Sequence, residues 1–139
     1  MSSKYVRNTL EDFLANNWSD TQVYVVDDEE QISGIPANNT DAWVGIEYLA
    51  AVETVNCLPA NMWNERGTIL LHVVLPNGWA SSHAIEYGDK LQHLLRGQRL
   101  ENLVIESVSP ILSQSPPAIE RTSDWQGFCL IMNYQSIKA

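Results

Sequence analysis

The chain has 139 residues, 45% hydrophobic and 18% charged, with 8 Lys and Arg against 17 Asp and Glu for a formal net charge of −9. This is the composition of one globular domain with one core, and it excludes a disordered tail. No apolar run approaches the ~20 residues of a membrane helix, and so acidic a surface repels phosphate, which argues against tight nucleic-acid binding or docking on anionic lipid.

The N-terminus, MSSKYVRNTLEDF, is polar and gains acid early, unlike a signal peptide, so a cytoplasm-like compartment is expected. Cys57 and Cys129 lack metal-ligand spacing, and free, buried thiols are expected rather than a disulfide. Val6, Leu10, Phe13 and Leu14 form one stripe of a helix over 3–16, with Ser2 or Ser3 placed as its N-cap. The β-branched and aromatic TQVYVV, Thr21 to Val26, reads as a strand. DDEEQISGIPANNTD follows, too polar and too broken to pack, and is expected to be a long exposed loop from Asp27 to Asp41.

Ala42 to Thr54 opens with aromatic and β-branched residues and reads as a strand at least through Leu49. Cys57 to Glu65, with Pro59, reads as a connector, and Gly67 to Leu75 (GTILLHVVL) as a central strand buried on both faces. Ala84, Ile85, Gly88, Leu91, Leu94 and Leu95 recur at three and four, predicting a second helix capped by Ser81 or Ser82 and ended by Gly97. Gly88 falls on its apolar face, where a bare backbone permits close approach. Leu103 to Ile111 and Phe128 to Ile137 read as the last two strands, around a loop from Ser113 that contains Trp125. The order α, β, loop, β, β, α, β, β predicts a single α+β domain, 1–139, with a mostly antiparallel or mixed sheet and two principal helices packed on one face.

Candidate chemistry is sparse. His72 lies mid-strand, and His83 and His93 are too far apart on their helix to share a metal, for which an i, i+4 pair is required. Ser81, His83 and Asp89 have no nucleophile elbow around them, and helix capping accounts better for the serine. Asp27, Asp28, Glu29 and Glu30 lack the alternating pattern of a calcium loop and read as solvated acids. Between Asn8 and Asn64 there are ten acids and no Lys or Arg, which serves either solubility or a surface that faces nucleic acid without gripping it. Five tryptophans are the more informative feature. Trp79 suits a staple at the start of the second helix, whereas Trp63 and Trp125, each among polar residues, suit anchors of a protein interface. Trp63, Trp125 and the acids Asp27, Asp28, Glu29 and Glu30 are therefore the candidate interface residues, and contact rather than catalysis is the expected work.

The stretch ERGTILLHVVLPNGWASSHAIEYGDKLQHLL resembles the central signature of bacteriophage tail terminators, the lambda-like ones included. The matching positions are Arg66-Gly67, the apolar strand Ile69 to Leu75, Pro76 with Gly78, and a helix of small and apolar residues, Ala84, Leu91 and Leu94, carrying Asp89 near its middle. The flanks agree: a short N-terminal helix, a segment with Pro36 and Trp43, a loop with Trp125, and a closing strand. The resemblance implies a non-enzymatic α+β subunit that assembles as a hexameric ring on the head-proximal end of the tail tube, stops tube polymerisation and meets the head-completion or connector protein. It implies no catalytic, metal-binding or cofactor-binding residues, and a channel through which DNA passes without specific binding. Its partners would be further copies of itself, the tail tube protein and the connector, with no membrane, and its place the virion after assembly in the host cytoplasm. Two other classes stay open on sequence: another neck or tail-completion protein of the same virion, and a small α+β ligand-binding domain or enzyme.

Overall fold

The structure, a computed structural model, describes residues 2–28, 30–31, 41–57, 62–76, 78–112 and 125–138. Helix α1 spans Lys4–Asn17 and begins at Ser3, whose backbone is extended and whose side-chain oxygen accepts the Val6 N–H at 3.4 Å. Val6, Leu10 and Leu14 are fully buried and Phe13 only partly, so the buried stripe is narrower than the apolar one. The strands are β1 (Gln22–Val25), β2 (Trp43–Cys57), β3 (Met62–Pro76), β4 (Arg99–Leu100), β5 (Leu103–Val108) and β6 (Trp125–Lys138), with helix α2 (Ser82–Leu95) after β3. They form one sheet in the order β1-β2-β3-β6-β5-β4, parallel between β1 and β2 and antiparallel elsewhere. The class is α+β, as the element order predicts.

Both helices pack on the same sheet face. Ile46, Leu71 and Leu130 lie side by side across β2, β3 and β6, as do Tyr48, Ile69 and Met132 one row on. These rows, with Leu103 and Ile105 of β5, meet Val6, Leu10 and Leu14 of α1 and Ala84, Leu91 and Leu95 of α2 in one core. Burying each such side chain is worth ~1.5–3 kcal/mol. On the opposite face Trp43 and Val74 form a smaller cluster with Tyr24, Val26 and Trp125. From Leu71 to Pro76 every residue of β3 is buried, which matches the central, two-sided strand expected there.

Several boundaries differ from the sequence reading. The connector over Cys57–Glu65 is mostly strand: β2 continues to Cys57 and β3 begins at Met62, so Trp63, Asn64, Glu65 and Arg66 are paired on both sides, to β2 and to β6. Polar residues enter a strand here because two neighbours satisfy their backbone groups, a non-local cause that local composition does not display. Trp125 opens β6 instead of sitting in a loop; its neighbours at 113–124 lie outside the described residues, as does most of the expected loop after Asp27. β5 ends at Val108, with Leu112 rejoining β6 in a single bridge to Cys129. Ser81 makes no side-chain cap on α2; its backbone is already helical, and its carbonyl takes the Ile85 N–H. Gly97, in the left-handed region at φ 75°, does follow the end of α2, and the Trp79 ring meets His83 in the first turn of that helix, centroids 5.1 Å apart and planes tilted by 59°.

Candidate assembly surface

The β2–β3 hairpin outruns the helices that cover it. Register runs from Trp43 opposite Val74 to Cys57 opposite Met62, but β1 accompanies β2 only from Trp43 to Ile46. Past that point the arm carries exposed apolar side chains: Val52 at 63%, Val55 at 45% and Trp63 at 36%, with Ile137 of β6 at 36%. Val55 and Trp63 are direct cross-strand partners on one face, while Val52 and Ile137 belong to the other, because side chains alternate along a strand. From Glu47 to Cys57, β2 has β3 on one side and, among the described residues, no strand on the other.

The root of the arm is fixed by a buried polar set. Glu65, 2% exposed, receives the Tyr134 hydroxyl at 2.6 Å and the Ser3 backbone N–H at 3.2 Å on the same carboxylate oxygen. With its proton so committed, the Tyr134 oxygen accepts from the Ser2 hydroxyl at 2.7 Å. The carboxylate thus lies at the N-terminal, positive end of α1 and ties that end to β3 and β6. Burial first, and the Glu65 hydrogen bond second, push the Tyr134 phenol well above its ordinary range, so it stays a neutral donor. Tyr48 behaves alike: buried, and donating to Glu11 at 2.9 Å, it is pushed up even though Arg7 lies 4.4 Å over its ring.

The candidate interface residues separate into three places. Asp27, Asp28 and Glu30 line one shallow groove of about 700 Å³ with Lys4, Arg7 and Glu11 of α1. They are not merely solvated acids: Asp27 sits 3.7 Å from Arg7, and Asp28 accepts the Glu30 and Gln31 backbone N–H groups at 3.0 and 3.3 Å, capping a helical turn. Glu29 lies outside the described residues. Trp63 is opposite Lys138 and Trp125 is opposite Pro76, the two ends of the β3–β6 ladder, ~45 Å apart at ~3.4 Å per residue. The two tryptophans therefore cannot share a patch. Trp125 is half-buried, edge-on to Trp43 at 5.6 Å, which makes it a packing residue of the outer cluster, and Trp63 is the one presented outward.

One constellation was not legible in the sequence. On the outer face, Gly45, His72 and Cys129 are side by side across β2, β3 and β6, and His72 Nε2 is 2.9 Å from Glu47 Oε1. A Cys, a His and a carboxylate in sequence order Glu47, His72, Cys129 leave no trace until the register is known. The electrostatics oppose an activated thiolate: burial and then the Glu47 charge raise the Cys129 pKa, and burial lowers that of His72 despite Glu47. The ring is held neutral, with Nε2–H donated to Glu47 and Nδ1 left buried without a partner. Because the folded His72 pKa lies below the unfolded value of 6.5, its contribution to stability is complete above that pH and is lost as pH falls from there through the folded value. Urea titrations at stepped pH should show that decline below 6.5, and His72→Gln should flatten it; an unchanged slope would mean that another group carries it.

Among the described residues no helix is long and apolar enough to cross a membrane, and no group of three or more His, Cys, Asp or Glu could hold a metal ion. No family model and no curated protein matches the chain. A solved structure whose name states no function is similar in fold, with a TM-score of 0.59 at 15% sequence identity over 98% of this chain and 96% of that one. At that identity the likeness is one of architecture, extending over essentially the whole domain.

Proposed function

We propose that this chain is a structural subunit of a long-tailed bacteriophage virion, which closes the head-proximal end of the tail tube as a homomeric ring and forms the joint to the connector. The observation that supports it best is the β2–β3 arm, which offers Val52, Val55 and Trp63 to solvent on the two faces of the sheet. Apolar side chains displayed on both faces of an overhang gain most when other protein covers them. The signature from Arg66-Gly67 through Leu94 adds the resemblance to tail terminators, and its two ends have physical roles: Gly67 lies under Tyr134, and Leu94 packs against the core. A ring of identical subunits needs two different, complementary surfaces per copy, closed by rotation. DNA would pass through its channel without being gripped, in keeping with the net charge of −9.

Light scattering and negative-stain imaging of the purified chain, alone and with tail tubes, test this reading. Rings, or density capping one end of each tube, are expected. Density on the connector but never on a tube end would assign the chain to another neck position, and a monomer indifferent to tubes at high concentration would remove the reading altogether.

A further inference from the structure

Resting on the ring reading, we infer that the open edge of β2, from Glu47 to Cys57, receives the β4–β5 edge of a second copy, so that the sheet continues from subunit to subunit. The first ground is the edge itself. A strand this long, ~35 Å at ~3.3 Å per residue, presents along this edge a row of backbone N–H and C=O groups that no strand among the described residues meets. Edges that stay free are usually blunted by Pro, Lys or β-bulges. This segment has no Pro or Lys, and between its register shifts at Tyr48/Ala51 and Val55/Cys57 the stretch from Ala51 to Val55 is regular and carries Val52, Thr54 and Val55, β-branched residues suited to a strand.

The second ground is charge, which selects the occupant. The residues from Trp18 to Cys57, which build β1 and β2 at that end of the sheet, include eight acids and no Lys or Arg. β4 is the last strand at the other end. There Arg96 and Arg99 are exposed, and neither has an ion-pair partner among the described residues. Glu101, which accepts the Tyr5 hydroxyl at 3.2 Å, and Glu106 lie on the same edge, so with Arg96 and Arg99 it is neutral in sum, whereas the β2 edge with Glu47 and Glu53 is negative. Two β2 edges placed together would oppose like charges, whereas β2 against β4–β5 brings Arg96 and Arg99 to the acidic end. The favoured contact is therefore heterologous, the type that closes a ring or grows a filament, and not a two-fold dimer. β4 covers Leu103 and Val104 of β5, the Gln98 carbonyl takes the Ile105 N–H and the Gln92 side chain donates to the Val108 carbonyl, so beyond β4 only Glu106 and Ser107 are left for pairing among the described residues.

Two variants test the pairing, Glu53→Lys and the double change Arg96→Glu with Arg99→Glu, each first checked for an unaltered thermal melt. Either alone should raise the concentration at which rings form by about tenfold, since each contact then opposes like charges. An equimolar mixture should restore assembly, because alternating copies meet opposite charges at every joint; only a head-to-tail contact between these two edges has that property. In wild-type rings the amides from Ala51 to Val55 should gain protection from hydrogen exchange. Rings that form normally in both variants, with those amides unprotected, would overturn the edge pairing and leave the ring reading standing. Weak single variants that the mixture fails to restore would also overturn it. A wild-type chain that never assembles, with or without tubes, would overturn both.

Discussion

Gly67→Ala is expected to destabilise the fold by about 3 kcal/mol, because the added carbon has nowhere to go. A Cβ at Gly67 would stand 2.5 Å from the Tyr134 hydroxyl oxygen and 2.8 Å from two carbons of its ring. A mobile side chain could swing aside, but Tyr134 is 1% exposed and held at its hydroxyl by both Glu65 and Ser2. Moving it would break the bonds that fasten the start of α1 to the sheet. The alternative, separating β3 from β6 at Gly67 opposite Tyr134, interrupts the longest antiparallel ladder in the molecule. Urea denaturation should show a lower midpoint with little change in slope, and a melting temperature reduced by roughly 10 °C for a domain of this size. Tyr134→Phe alone should cost less, about 1–2 kcal/mol, since the hydrogen bonds to the Glu65 carboxylate and the Ser2 hydroxyl are lost but the ring keeps its place. If Gly67→Ala melts like the wild type, the Tyr134 ring relaxes freely and the Glu65 network is not what holds it.

That network also marks where sequence reading loses its grip. The stripe Val6, Leu10, Leu14, the run Ile69 to Leu75, and the helix with Ala84, Leu91 and Leu95 were legible because their periodicity is local and their burial follows from it. Glu65 was not, because nothing near it in sequence calls for a buried carboxylate. Its partners, Ser3 and Tyr134, are 62 and 69 residues away. The same holds for the arm. Asn64, Glu65 and Arg66 argue against a strand locally, and only pairing to β2 on one side and β6 on the other makes them one. Within the candidate interface, residue type alone singles out Trp63 and the acids of the α1 groove, and it misplaces Trp125 on a loop, since an aromatic residue among polar neighbours reads alike at a strand end and on a loop.

Trp43 and Trp63 should therefore respond to truncation in opposite ways, and the contrast separates folding from assembly. Trp43 is 2% exposed and meets Tyr24 and Trp125 edge-on, with ring centroids 5.5 and 5.6 Å away. Trp43→Ala should cost about 3–5 kcal/mol in stability, the usual range for emptying so large a buried site. Its indole N–H is buried without a partner, so Trp43→Phe, which removes the unsatisfied donor while keeping most of the ring, should recover much of that loss. Trp63, at the far end of the same sheet, keeps 36% of its surface in solvent. Trp63→Ala should leave the urea midpoint within about 1 kcal/mol of wild type while raising the concentration needed for rings or tube capping severalfold, as expected of an aromatic anchor that a neighbour covers. Should Trp63→Ala instead unfold the chain, the arm is part of the stable body and its exposed residues are no guide to a partner. Should it change neither stability nor assembly, the contact between copies runs through backbone pairing and charge at the sheet edges, with the apolar tip of the arm left to meet the tube.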